Sequence, residues 1–171
     1  ASLPANSYAV YDVRTGGSEK TISPSAASAI ENSVYKITLD KNGDIISLTD
    51  KRNNKELVKD GKAIRLALFT ENKSYAWEIL KETIDREPVS ITDGAKITLV
   101  ENGALRKALC IEKKHGKSLF KQYIRLYEGS RADRIDFYNE IDWQSTNTLL
   151  KAEFPLNIEN EKATYDLGIG S

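Results

Sequence analysis

The sequence predicts an all-β protein built as a large antiparallel sandwich, and three observations predict it. The apolar residues recur with a period of two along most of the chain, not with the helical period of 3.6. Turn signals rich in Gly and Asn punctuate it at short spacing, marking out about ten strands. The 171 residues are enough for one well-buried domain. No repeat of propeller length is visible.

The elements follow in order. Ser7–Val13 (SYAVYDV) is a short entering strand within residues 1–13. Residues 14–31 begin RTGGSEKTISPSAASA, which has no apolar period and reads as linker. The sandwich domain is expected over residues 32–171. Val34–Asp40 (VYKITLD) and Asp44–Asp50 (DIISLTD) flank Asn42-Gly43, a pair suited to the positive φ angles of a type I′ hairpin turn. Ile64–Thr70 (IRLALFT) is apolar on both faces, as a central, covered strand requires. Tyr75–Leu80 fits the start of a short helix or of a strand equally well. A meander then runs through Ala95–Val100, Leu105–Lys113, Leu119–Glu128, Arg134–Trp143 and Leu149–Ile158, and Ala163–Ile169 closes the chain.

Alternation assigns the faces. Ile135, Phe137, Ile141 and Trp143 share an apolar face interrupted by Asn139, and Arg134, Asp136, Tyr138, Glu140 and Asp142 share the other. Phe120, Gln122, Ile124 and Leu126 oppose Lys121, Tyr123, Arg125 and Tyr127. Leu150, Ala152, Phe154, Leu156 and Ile158 are expected in the core, with Lys151, Glu153 and Asn157 outside. The carboxylates of this region (Asp136, Glu140, Asp142, Glu153) therefore lie on a polar face. A retaining glycosidase needs two carboxyls about 5–5.5 Å apart, one with a raised pKa. Lys121, Arg125, Arg134 and Lys151 are expected nearby, and cations lower carboxyl pKa values, so cross-strand ion pairing explains these carboxylates better than acid/base work.

Composition narrows the partners. Lys+Arg and Asp+Glu both number 25, and no basic surplus points to nucleic acid or an anionic membrane. No apolar run approaches the roughly 20 residues that span a bilayer. Cys110, the single cysteine, sits in an alternating apolar run and reads as a small buried side chain. His115, the single histidine, falls at a charged hairpin tip, KKHGK. A Ser/His/Asp triad would need this histidine, and a solvated turn histidine is the better reading. Gly16-Gly17 lacks the Lys and the spacing of a phosphate loop, and no spacing of His and Cys suggests zinc. DKNGD (Asp40–Asp44) opens like a calcium loop but carries Lys51 where the loop needs an acid. The chain has no methionine, even at position 1, and ASLPANSYAV reads as the interior of a longer protein. A cytoplasmic location is the expectation, on the absence of a secretory signal pattern.

Several segments, in order, resemble one family. NSVYKITLDKNGDIISLTDKRNNKEL (Asn32–Leu57) resembles the opening of the β-sandwich region of glycoside hydrolase family 38, the α-mannosidases. YAWEI (Tyr75–Ile79) is similar to that family's Asp-Ala-Trp segment, with Tyr75 where Asp is usual. GALR (Gly103–Arg106) is similar to its Gly-Pro-Leu-Arg turn, with Ala for Pro. IRLYEGSRADRIDFYNEIDWQ with LLKAEFPLNIENEKATYDLGIG is the closest match, and LPANSYAVYDV resembles the family's entry into this region. The resemblance covers nearly the whole chain. It implies a supersandwich similar in fold to galactose mutarotase, lying C-terminal to the catalytic part of a retaining, zinc-dependent α-mannosidase. It carries over no nucleophile and no zinc ligand: no cofactor is expected in this chain, and zinc is implied for the parent's catalytic domain. The partners implied are that catalytic domain and, through the parent, mannosides. Tyr165 and Asp166 are the pocket-proximal candidates. Trp77 and Trp143 are the aromatic sugar-contact candidates should the chain act instead as a stand-alone carbohydrate-binding module.

Overall fold

The turn at Asp40–Asp44 shows how local chemistry sets this architecture. Asp40 Oδ1 accepts the backbone N–H groups of Asn42 and Asp44, each at 2.9 Å, and the Gly43 N–H reaches the Asp40 carbonyl at 3.1 Å. Gly43 has φ +75°, whereas Asn42 is not among the described positive-φ residues. The hairpin thus closes through a type I turn with a left-handed glycine, a three-residue arrangement, and not through the type I′ turn expected from Asn-Gly. An Asp side chain that binds its own downstream backbone favours this geometry.

The computed structural model describes residues 5–12, 24–71, 78–165 and 168. Residues 1–4, 13–23, 72–77, 166, 167 and 169–171 lie outside these, and with them Val13, Tyr75, Trp77 and Asp166. The strands are β1 (Ser25–Ala26), β2 (Ala29–Glu31), β3 (Tyr35–Leu39), β4 (Ile45–Asp50), β5 (Lys55–Glu56), β6 (Arg65–Thr70), β7 (Val89–Ser90), β8 (Asp93–Asn102), β9 (Arg106–His115), β10 (Ser118–Tyr127), β11 (Ile135–Asp142) and β12 (Thr148–Glu153). One helical turn, α1 (Lys81–Ile84), follows β6. No helix among the described residues is long and apolar enough to cross a membrane.

The strands form a five-stranded sheet ordered β1-β8-β9-β10-β11, a four-stranded sheet ordered β2-β3-β4-β5 and a three-stranded sheet ordered β12-β6-β7. Every pairing is antiparallel, so the all-β antiparallel sandwich is what the chain forms. β6 lies between β12 and β7, the central position its two apolar faces called for. Ile37, Leu39, Ile45 and Leu48 pack against Leu109, Ile111, Ile124 and Leu126 to make the main core between the four- and five-stranded sheets. Each such side chain contributes about 1.5–3 kcal/mol on burial. A second cluster, Leu68, Ile91 and Phe120 with Leu66, Trp143 and Leu150, joins the three-stranded sheet to one end of the five-stranded one.

Three expectations are corrected. The linker reading of residues 14–31 gives way at its C-terminal end to β1, paired with β8, and β2, paired with β3, and Ile30 is part of the main core. Two- and three-residue strands are too short to show a period. Residues 5–12 form no strand, although Ser7–Val13 alternates. Phe154 and Ile158 are 51% and 60% exposed, not core. β12 ends at Glu153, so the strand alternation no longer fixes the faces of the residues after it. Leu156, by contrast, does pack against the main core.

Gly43 also sits where the hairpin touches the facing sheet. A Cβ there would overlap Ile111 Cγ2 and lie 3.3 Å from Lys113 Cε. Gly43→Ala is therefore expected to cost about 2–4 kcal/mol, the sum of overpacking and a left-handed backbone for an L-residue. Urea denaturation reads this as a lower midpoint at an unchanged slope.

Candidate functional site

Alternation along β9 places Lys113 on the inner face with Leu109 and Ile111, facing the four-stranded sheet. A lysine in that position needs an anionic partner. Asp44, at the foot of β4, supplies it: the Lys113 ammonium bonds the Asp44 carboxylate, and the two side chains are 7% and 6% exposed. Burial pushes the Asp44 carboxyl above its ordinary value, outweighing the Lys113 hydrogen bond and charge that pull it down.

Asp44 lines the edge of an open cleft of about 1080 Å³ where the four- and three-stranded sheets meet. One wall comes from the β3–β4 turn and β4, with Asp40, Asn42 and Ile46. The other comes from β6, β7 and β12, with Arg65, Ser90, Glu153 and Phe154. Short bridges, Ile45 to Ile64 and Val58 to Leu156, hold the walls together. Arg65 is opposite Glu153 in the β6–β12 register. Its Nε donates to Glu153 Oε2 at 2.9 Å, and a terminal guanidinium nitrogen donates to Ser90 Oγ at 2.5 Å. Arg65 and Glu153 are about a quarter exposed, so this set is held firm at the wall while still meeting solvent. Phe154 stands beside it, its ring fixed edge-on against Phe137 at 5.6 Å between centroids and 85° between planes.

The polar sheet face has a different character. Asp136 accepts hydrogen bonds from Arg134 Nε and from Tyr127 Oη, the latter at 2.8 Å. These bonds, the arginine's first, hold its carboxyl below the ordinary carboxylate range. Lys121 stands between Glu112 and Glu140 in the register of β9, β10 and β11. Asp142 Oδ1 accepts the Gln144 side-chain amide at 2.7 Å. Arg125 lies over the rings of Tyr123 and Tyr138, at 5.4 and 5.1 Å from their centroids. Lys151 lies over Phe69 at 5.0 Å rather than beside a carboxylate, and Glu153 is paired across the cleft wall with Arg65. Cation pairing at Asp136 and Glu153 is thus as the sequence indicates, although Glu153's partner comes from β6.

Trp143 is half-buried against the second cluster, its ring edge-on to Phe120 with centroids 6.2 Å apart. Asn139, which interrupted the apolar face, is matched by Gln122, whose Nε2 donates to Asn139 Oδ1 at 2.8 Å. Tyr165 is 72% exposed beyond β12. Neither Trp143 nor Tyr165 lines the cleft. Cys110 is buried with its register partner Tyr123 on the outer sheet face, and burial pushes its thiol up. His115 ends β9 at the hairpin tip.

The cleft set was missed in the sequence because its members are far apart in it. Arg65 meets Glu153 across 88 positions and Ser90 across 25. The available signal was charge: Arg65 opens β6 and Glu153 closes β12, opposite charges at the ends of two largely apolar strands.

Among the described residues no three His, Cys, Asp or Glu side chains gather as ligands. In the calcium-like DKNGD turn, Asp40 is committed to backbone N–H groups and Asp44 to Lys113. A zinc or calcium ion there would have to displace a buried ammonium.

Comparison with known proteins matches this chain over residues 30–171 to the model of the glycosyl hydrolases family 38 C-terminal domain. The chain is 27% identical over 195 aligned residues to α-mannosidase G of Dictyostelium discoideum, covering 99% of the chain and 17% of that relative. It is 25% identical over 145 residues to human α-mannosidase 2C1, covering 82% of the chain and 14% of the relative. The chain thus spans less than a fifth of the length of the relatives it matches. It belongs to glycosyl hydrolase family 38, and residues 30–171 are its C-terminal domain.

Proposed function

We propose that this chain is the non-catalytic sandwich of an α-mannosidase, which hydrolyses α-mannosidic bonds with retention using zinc held on a separate catalytic domain, and that it buttresses that domain. The observation that carries the reading is the commitment of its carboxylates. Asp136, Asp50 and Glu128 are held below their ordinary values by Arg52, Arg134 or hydroxyl and backbone partners, the opposite of what a general acid needs. Asp44 is raised, but its carboxylate is bonded to Lys113 and 5% of the residue is exposed.

The surface supports the buttressing role. β11 and β12 are edge strands within their sheets, and Leu119, Ile141, Phe154 and Ile158 are exposed on or beside them. Open edges and apolar side chains of this kind are ordinarily covered by further structure. The catalytic domain of the same polypeptide is the partner this proposal assigns to them.

An aryl α-mannoside assay of the chain alone, with added zinc, tests the non-catalytic reading. Release of the aryl group at the background rate is expected. Turnover that scales with chain concentration would overturn it.

A further inference from the structure

We propose that the outer face of the five-stranded sheet, around Arg125 and Arg131, is a docking surface for an extended acidic peptide of a partner protein, two of whose carboxylates are taken by these two guanidinium groups. None of the apolar side chains assigned above to the catalytic domain takes part, and the surface is independent of the α-mannosidase reading.

The two ends of this face differ in chemistry. Toward the β9–β10 turn the charges are matched: Lys96 Nζ lies 3.9 Å from Glu112 Oε2, and Lys121 stands between Glu112 and Glu140 in the register. A sheet face built only for stability pairs its charges across strands in this way. Toward the β10–β11 connection, Arg106, Arg125, Arg131 and Arg134 meet only two carboxylates. Arg106 Nε donates to both oxygens of Glu101, at 3.0 and 2.8 Å, and Arg134 Nε donates to Asp136 Oδ1. Arg125 and Arg131 have no carboxylate partner among the described residues.

Arg125 is directly opposite Asp136 in the β10–β11 register, an arrangement that ordinarily forms a cross-strand ion pair. That pair does not form. Arg134 takes one Asp136 oxygen, and Tyr127 Oη donates to the other at 2.8 Å. Arg125 lies instead over Tyr123 and Tyr138, two rings that are a cross-strand pair with centroids 6.0 Å apart. Arg131, which is exposed, lies over the Tyr127 ring at 5.0 Å. A guanidinium held over an aromatic ring keeps its N–H donors for a planar, bidentate acceptor such as a carboxylate. Both cations are therefore positioned before a partner arrives, which removes part of the entropic cost of binding.

Their placement selects the partner. Tyr123 and Tyr127 are on the same strand but are different anchors, so the two unpaired cations do not converge on one point. A single small anion would engage only one of them. Two carboxylates on an extended chain, whose same-face side chains repeat about every 7 Å, can reach both. A second copy of this chain fits poorly, because a two-fold contact across this face would set its arginines against their own equivalents.

The test is a titration of the 15N-labelled chain with a capped peptide alternating Glu and Thr, followed by amide shifts. Saturable shifts at Arg125, Tyr127, Arg131 and Tyr138 are expected, with a dissociation constant on the order of 100 μM. Affinity should fall severalfold between about 50 and 200 mM salt. Peptides with Gln or Lys in place of Glu are expected to leave these amides unmoved. Arg125→Gln and Arg131→Gln are each expected to weaken binding about tenfold. Neither arginine holds a carboxylate of the sheet, so each variant keeps the dispersed spectrum of a folded protein. Arg125→Lys, which keeps the charge but not the fork, is expected to recover only part of the loss. Lys96→Gln, at the matched end, is expected to leave affinity within about twofold. Absence of saturable shifts at these amides would overturn the surface. So would unchanged affinity in both arginine-to-glutamine variants, or a Gln peptide that binds as tightly as the Glu peptide. Inorganic phosphate saturating the same amides at a lower concentration than the peptide, or tighter binding of a single-stranded RNA oligonucleotide, would overturn it in favour of another class of ligand.

Discussion

Lys113→Met is expected to destabilise the protein by about 3–5 kcal/mol at neutral pH, because it leaves the Asp44 carboxylate buried with no cation beside it. The double variant Asp44→Asn/Lys113→Met removes both charges. It is expected to recover most of that loss, since a buried pair replaced by groups of similar volume is often close to neutral. The pH dependence separates this from a simple packing defect. Asp44 already has its folded pKa raised by burial. Its contribution is therefore fully favourable below the ordinary carboxylate value and is lost as pH rises through the raised one. Removing Lys113 takes away the hydrogen bond and charge that pull it down, so the folded pKa rises further. The Lys113→Met defect should be largest near neutral pH and shrink as pH falls and Asp44 takes up a proton. Urea denaturation of both variants across that range checks it. A defect independent of pH, or a double variant no more stable than the single, would contradict the buried-pair account.

Asn32→Asp is expected to be nearly as damaging, although it changes one amide nitrogen to oxygen. Asn32 is 3% exposed and works in four directions at once. Its Nδ2 donates to the carbonyls of Tyr127 at 2.6 Å and Ala132 at 2.8 Å. Its Oδ1 accepts the backbone N–H groups of Val34 at 2.9 Å and Tyr35 at 2.6 Å. The side chain thereby ties the entry to β3 to the β10–β11 connection, about a hundred positions away. Aspartate keeps the two acceptor contacts but turns both donors into an oxygen facing two carbonyl oxygens. Each buried carbonyl left without its donor costs about 1–3 kcal/mol, and the new charge adds to that at neutral pH. A loss of about 3–5 kcal/mol in unfolding free energy is expected. A loss under about 1 kcal/mol, within the range of an ordinary surface change, would show that Asn32 does not hold the two connections together.

Much of this architecture is legible in the sequence, and the particular residues show why. The strands of the β3–β4 and β8–β11 hairpins largely alternate and are separated by glycine turns, so period and punctuation agree. β6 announces itself as central by being apolar on both faces. β1 and β2 are invisible to the same argument, since two or three residues carry no period and their pairing is decided by β8 and β3. The type of turn at Asp40–Asp44 turns on a side-chain hydrogen bond that the Asn-Gly pair outweighed in the reading. Phe154 was misplaced because parity was carried past the end of β12 at Glu153. The polar-face assignment of Asp136, Glu140 and Asp142 needed only alternation. The cleft needed the β12-β6-β7 order, a tertiary fact with no local signature. Lys113 lies two places beyond Ile111 on the same face of β9, so alternation already carries its inner position.

The central claim is that this domain serves catalysis from outside the chemistry, and the parent α-mannosidase polypeptide tests it most directly. Its mannoside hydrolysis, measured with the sandwich domain present, absent, and absent but supplied as the separate 171-residue chain, isolates the contribution. The account predicts that removal lowers both kcat/KM and the melting temperature of the catalytic domain, and that the added chain, inactive by itself, restores them at least in part. Full activity and unchanged melting temperature without the domain would contradict it.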